Sequence, residues 1–261
     1  MKKTLQSFCL IICIAVFCFS VWKLFVIWQE YHAGDEIYDS IEKQVAVKQT
    51  DSSPAEPGQS ETPDRDDNIG VSVPDSLVNL EELKEINSHA IGWIMIPDTS
   101  INYPILQTAN NNDYLRRTIT GEDNKAGCIF ADYRCADPFH SANTIVYGHN
   151  LLNGKMFSDL MNYEDENWYK EHPCIYIQTY DGVRVYEVYS CYRTADNSRT
   201  YTFGLKTETE FYENYLNQTL EQALYPTDIT PLSTDQIITL STCTNETEEE
   251  RFVVHARLLT R

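Results

Sequence analysis
Hydrophobic and polar positions divide the chain into three stretches of different character. Lys2 and Lys3 precede a charge-free run from Thr4 to Trp22, rich in Ile, Val, Phe and Cys; Lys23 interrupts it, and Leu24 to Trp28 is apolar again. About 20 apolar residues cross a bilayer, and a lysine near the end of such a run lifts its ammonium to the headgroups. Residues 1–28 are therefore expected to be a cytoplasmic tip and a transmembrane signal-anchor. No small-x-small cleavage site follows, and the run is longer than the core of a cleaved signal peptide. Basic residues at the N-terminus hold that end in the cytoplasm, which puts everything after about Gln29 outside.

The second stretch, residues 29–75, is expected to be an extracellular tether. Ile37, Ile41 and Val45 give only weak helical spacing on a polar background, and from Thr50 to Asp75 Pro, Ser, Asp and Glu dominate, with no large apolar residue before Ile69. Such a composition cannot bury enough surface to order itself, and as a coil it spans on the order of 30 Å. Asp75 or Ser76 is placed to cap a short helix through Leu77, Leu80, Leu83 and Ile86.

The third stretch, residues 76–261, reads as the folded domain. Beyond Ala90 it is a succession of short β-like runs: Ile91–Ile96, Ser100–Gln107, Gly127–Asp132, Asn143–Tyr147, Cys174–Thr179, Val183–Arg193, Gln236–Thr242 and Phe252–Leu259. Short strands separated by turn signals predict a closed antiparallel or mixed barrel, a mainly β fold with flanking helices. Asp181-Gly182 is a hairpin signal. Two helices are predicted within the series. One is Met156–Tyr163. The longer runs over Glu208–Leu224, with Thr207 and Glu210 as a capping box and an apolar stripe of Phe211, Tyr215, Leu216, Thr219, Leu220 and Leu224.

Charge narrows the partners. All 39 acidic residues follow Trp28, with 17 of the 20 basic ones, so the exterior part carries an excess of 22 negative charges. That excludes nucleic acid and an anionic membrane surface as partners. Five of the eight cysteines lie outside the apolar run: Cys128, Cys135, Cys174, Cys191 and Cys243. The odd number without a CxxC fits neither a full disulfide framework nor a zinc ribbon. Cys174 and Cys191, inside strand-like runs, read as small core fillers.

Chemistry concentrates near the end. The β-branched run Ile237-Ile238-Thr239-Leu240-Ser241-Thr242 ends on Cys243, which places a thiol at the C-terminal lip of a strand. After a loop of seven residues Arg251 opens the next strand. A thiol becomes nucleophilic where positive charge favours its thiolate. Thr144-Ile145-Val146-Tyr147-Gly148-His149-Asn150 supplies a histidine just past another β-like run. Alone, Cys243 reads equally as a core cysteine and His149 as a turn residue; the ordered set is more specific. Glu246, Glu248, Glu249 and Glu250, between thiol and arginine, read as a solvated loop or as a lure for a cationic amine.

This ordered set resembles the sortases, the cysteine transpeptidases that fix surface proteins to the Gram-positive cell wall. The resemblance covers Leu77 to Arg261. Ile91-Gly92-Trp93-Ile94-Met95-Ile96-Pro97, Ile101-Asn102-Tyr103-Pro104-Ile105, Lys125-Ala126-Gly127-Cys128-Ile129-Phe130-Ala131-Asp132-Tyr133-Arg134, Tyr147-Gly148-His149-Asn150 and Thr239-Leu240-Ser241-Thr242-Cys243 occur in family order. The long helix before the last two strands and the serine two places before the cysteine are similar to class B. The resemblance implies an eight-stranded sortase-type barrel and a thiol peptidase-type enzyme. Cys243 would be the nucleophile, His149 the general acid and base, and Arg251 the substrate-positioning and oxyanion-stabilising cation, with Ser241 and Thr242 as lesser substrate-binding candidates. It implies cleavage after threonine in a Pro-x-Thr sorting core, a thioester, and transfer to an amine of peptidoglycan or lipid II. Implied partners are surface proteins with a C-terminal sorting signal, and the membrane; no cofactor or metal is required. A pilus-polymerising sortase and a non-catalytic wall-binding barrel are the alternatives. His140, His172 and His255 match no motif, and His255 reads as structural.

Overall fold
The computed structural model describes residues 2–47 and 73–259 of the chain; most of the Pro- and acid-rich stretch expected as a tether, 48–72, lies outside them. Eight strands form a closed barrel: β1 (Ala90–Met95), β2 (Asn102–Leu106), β3 (Ile129–Ala131), β4 (Asn143–Tyr147), β5 (Cys174–Thr179), β6 (Gly182–Ala195), β7 (Ile237–Cys243) and β8 (Glu250–Leu258). Around the barrel their order is β1-β2-β3-β4-β7-β8-β6-β5, and β5 closes on β1. The barrel is mixed, with β2/β3 and β4/β7 running parallel. A parallel neighbour requires a long crossover, and everything from Gly148 to Gln236 is that crossover between β4 and β7. Trp93, Ile94, Ile105, Ile129, Val146, Ile177, Val188, Leu240, Phe252 and Val254 belong to one buried core.

Among the described residues four α-helices decorate it: α1 (Lys2–Val45), α2 (Leu80–Ile86), α3 (Glu166–Glu171) and α4 (Glu210–Glu221). Helix α1 departs from expectation. It runs unbroken past the apolar segment, and Tyr38, Ile41 and Val45 are buried in the barrel's own core, so residues 29–45 are not a free tether. The weak spacing of Ile41 and Val45 was the signal; it is weak because a single narrow stripe touches the barrel while the remaining faces stay polar. Asn79, rather than Asp75 or Ser76, caps α2 by accepting from the N–H groups of Glu81 and Glu82.

The two predicted internal helices are both shorter. Met156 has φ 58° and cannot begin a right-handed helix, and a 3-10 turn covers Ser158–Glu164 instead. Glu208 has φ 61°, so α4 starts after it and its cap is Thr209, whose hydroxyl accepts from Tyr212 N, rather than Thr207. Its buried face is accordingly Tyr212, Tyr215, Leu216 and Thr219, while Phe211 and Leu224, assigned to the stripe, are exposed. This face and Tyr189, Leu205 and Ile237 form a second apolar cluster that clamps the crossover to the barrel.

Candidate active site
Strand register brings the three chemically expected residues to one lip. In the antiparallel pair β7/β8, Cys243 stands directly opposite Arg251. In the parallel pair β4/β7, Tyr147 is level with Ser241, and the ladder continues one step further through Gly148 N to Ser241 O at 3.2 Å. His149 therefore arrives beside the end of β7. Thr242 Oγ1 donates to Gly148 O (2.8 Å) and Asn150 Nδ2 to Cys243 O (2.9 Å), stitching the histidine turn to the cysteine strand on both sides of His149. A Cβ on Gly148 would run into Ile129 Cδ1 and the Phe157 ring, so only glycine lets the turn lie this close. Tyr147, Gly148, His149, Ser241, Thr242, Cys243 and Arg251 line a cleft of about 240 Å³, completed by Asn111, Asn112, Leu115, Phe130, Asp196 and Tyr201.

The imidazole of His149 has a defined orientation. Its Nε2 lies 2.7 Å from Leu115 O. A carbonyl only accepts, so Nε2 carries the proton and donates to it, leaving Nδ1 to exchange protons. Gly127, at φ 58°, passes so close to the carbonyls of Tyr114 and Leu115 that a Cβ would lie 2.5 and 2.7 Å from them, and this packing presents Leu115 O to the ring.

Arg251 is held by the backbone and one carboxylate. Nη1 donates to Glu248 O (2.7 Å) and Glu250 O (2.9 Å), and Nη2 reaches Asp196 Oδ2 at 3.4 Å. Two side chains of the acidic loop turn away from this guanidinium: Glu246 and Glu250 pair with Arg193, 2.6 and 3.2 Å away, which also pairs with Glu164. Two of the four loop carboxylates are thus paired with a separate cation rather than turned to the cleft. Ser241 Oγ hydrogen-bonds Tyr201 OH at 2.8 Å, so it supports the cleft wall.

The other four thiols of the barrel domain are removed from chemistry by burial. Among the described residues every cysteine is free. Burial pushes Cys128 up to about 12 and Cys135, Cys174 and Cys191 up to about 11, whereas Cys243 is half-exposed at the cleft. The other histidines have structural partners. His140 pairs with Asp137 and Asp181, His172 stacks on Trp168 with 4.0 Å between ring centroids, and His255 is fully buried.

Comparison with known proteins agrees with this geometry. The family model of the sortase domain matches residues 94–259. The chain belongs to the sortase family. Within that family it sides with class B. Sortase B of Listeria monocytogenes is 33% identical over 267 residues, covering 100% of this chain and 99% of that protein. The crystal structure of sortase B from B. anthracis in complex with AAEK1 superposes with a TM-score of 0.71 at 32% identity, covering 90% of this chain and 100% of that one. The Staphylococcus aureus sortase B-substrate complex gives a TM-score of 0.64 at 31% identity, over 70% of this chain and 85% of that one. The chain is accordingly a sortase transpeptidase with the closed eight-stranded barrel of its class.

Several residues of this sortase cleft carried no readable signal in the sequence. Leu115 and Asp196 lie in irregular segments and Tyr201 ends a three-residue 3-10 turn, where neither periodicity nor a motif marks a carbonyl, a carboxylate or a ring as part of a site. Asn150 was visible within Tyr147-Gly148-His149-Asn150, but its bond to Cys243 O depends on the β4/β7 register.

Proposed function
We propose that this sortase is a membrane-anchored cysteine transpeptidase that cleaves a Pro-x-Thr sorting core after threonine and joins the surface protein to a peptidoglycan amine. The observation that carries the reading is the direct register pairing of Cys243 with Arg251 on strands whose other neighbour delivers His149. In this mechanism Cys243 Sγ attacks the threonyl carbonyl carbon, a C–S bond forms, and the carbonyl electron pair moves to oxygen. The Arg251 guanidinium, its planar fork anchored by two carbonyls, faces the developing oxyanion. Collapse breaks the C–N bond, and the departing amine takes a proton from imidazolium at His149 Nδ1. Neutral His149 then accepts a proton from the incoming amine as it displaces Cys243 from the thioester. Nε2–H stays on Leu115 O throughout, so the ring keeps one orientation in both protonation states. Attack and leaving-group protonation together require thiolate and imidazolium to coexist.

The apolar helix is read as a single-pass anchor. Residues of α1 near the N-terminus combine length and composition sufficient to cross a membrane, and Lys2 and Lys3 favour a cytoplasmic N-terminus with the barrel outside. The test is a series of quenched fluorescent peptides with Pro-x-Thr-Asn and Pro-x-Thr-Gly cores, incubated with the full chain with and without an added short peptide amine. The expected result is cleavage after threonine and, with the amine, a ligated product carrying a new amide. Cleavage elsewhere, or cleavage that never yields the ligated product, contradicts the transpeptidase reading.

A further inference from the structure
Behind the cleft lies a carboxylate that touches none of the reacting groups yet is bonded to two of the walls that would hold the peptide and reaches the third through Arg134. Asp132, just past the end of β3, is fully buried and does not line the cleft. Its Oδ2 accepts from Tyr147 OH (2.9 Å), Asn111 Nδ2 (2.8 Å) and Arg134 Nη2 (2.6 Å). Its Oδ1 accepts from Arg134 N and Arg134 Nε, both at 2.9 Å. Five donors on one carboxylate more than match the cost of burying its charge. Burial raises its pKa, but the bonds from Arg134, Asn111 and Tyr147 outweigh that and hold it below the usual carboxylate range.

These donors belong to different pieces of the fold. Asn111 comes from the β2–β3 connection and lines the cleft. Its Oδ1 is fixed in turn by Tyr133 N at 3.0 Å, which sets which way the amide points. Tyr147 ends β4, and its ring packs between Phe130 and Tyr201, with centroids 5.4 and 6.2 Å away. Arg134, gripped on both carboxylate oxygens, lays its guanidinium on the Phe203 ring at 3.7 Å. That contact pins the connection after β6, where Tyr201 reaches Ser241. One buried anion thus ties together the three walls from which Asn111, Tyr147 and Tyr201 face the cleft.

We propose that Asp132 is a positioning residue for the peptide substrate: it preorganises Asn111, Tyr147 and Tyr201 into a binding wall before the peptide arrives, without acting on Cys243, His149 or Arg251. This rests on the reading of the cleft as the sorting-peptide site. A residue of this kind affects binding more than chemistry.

The experiment uses the full chain in lipid nanodiscs and the peptide of the quenched series that the parent turns over fastest, well below the melting temperature of every variant. Asp132→Asn, which turns one acceptor oxygen into a donor and removes the charge, is expected to raise KM about tenfold while kcat stays within about twofold. Tyr147→Phe added to Asp132→Asn should raise KM no further, because both act through the same bond. Arg134→Met is half-exposed, leaves the cleft lining intact and keeps the test alive if Asp132→Asn does not fold; it should raise KM severalfold at unchanged kcat. An unchanged KM in Asp132→Asn or Arg134→Met, additive effects of Asp132→Asn and Tyr147→Phe, or a loss confined to kcat overturns the proposal. A parent that forms no acyl-enzyme at Cys243 overturns the site reading itself, and this proposal with it.

Discussion

At the scale of single residues, the site depends on shape as much as on charge. Arg251 spends Nη1 on two carbonyls and Nη2 on Asp196, an arrangement that only a planar fork satisfies. Arg251→Lys retains the charge but loses that fork, and kcat/KM is expected to fall at least tenfold, about 1.4 kcal/mol of transition-state stabilisation, with little change in melting temperature. Near-parental turnover would leave Arg251 as bulk charge. Gly148 makes a complementary case. Gly148→Ala forces a methyl against Ile129 and Phe157, an overpacking that costs about 1–3 kcal/mol. The strain is relieved by moving the turn that carries His149. Both melting temperature and turnover should drop together; a variant with parental values of both would show that the turn has slack.

At the scale of elements, a buried polar network ties three strands beneath the cleft. His255 on β8 sits 3.0 Å from Thr239 on β7 through Nδ1 and 3.0 Å from Tyr192 on β6 through Nε2, and Tyr192 OH continues to Thr200, beside Tyr201. Its facing groups are neutral, and burial lowers its pKa to about 3. An unfolded histidine titrates near ~6.5, so between those values the unfolded chain binds a proton that the folded one refuses. Stability is full above ~pH 6.5 and drains as pH falls toward the folded value. Melting curves from pH 7 down to pH 4 should show this decline, and His255→Asn should be less stable at pH 7 but flatter with pH; parallel curves would contradict the assignment. Much at this scale was legible beforehand. All eight strands follow from β-like runs, because strands buried along nearly their whole length write continuous apolar, β-branched stretches into the chain. The helix starts were less legible. Met156 and Glu208 adopt left-handed backbone that no propensity announces in such residues, and α3, six residues long, buries no side chain that would have marked it. Likewise, a strand-end Cys and a strand-start Arg were readable as Cys243 and Arg251, whereas the register that sets them opposite each other is a tertiary fact.

At the scale of the whole molecule, the helix that would cross the membrane is also part of the catalytic body. Helix α1 has 44 residues, about 66 Å at 1.5 Å per residue, against a hydrocarbon core of about 30 Å. Its C-terminal half grips the loops around His149: Asn124 Nδ2 donates to Glu30 O (2.8 Å), Lys125 Nζ pairs with Glu30 (3.1 Å), and Asn153 Nδ2 donates to Asp35 (3.2 Å). Tyr38 OH also donates to Gly127 O, behind Leu115. A fragment beginning at Ser76 should therefore melt on the order of 10 °C below one beginning at Gln29, since each lost core side chain is worth ~1.5–3 kcal/mol, and it should turn over more slowly. Equal melting points would return residues 29–45 to the role of a tether.

The central claim, that this assembly runs through a thioester on Cys243, is tested most directly by acid-quenching the full chain during turnover of a Pro-x-Thr peptide and mapping the covalent adduct by mass spectrometry. The expected result is a single acyl group, ending in threonine and labile to hydroxylamine, on Cys243 and absent from Cys243→Ala. An adduct on Cys128, Cys135, Cys174 or Cys191, or peptide cleavage that persists in Cys243→Ala, would contradict it.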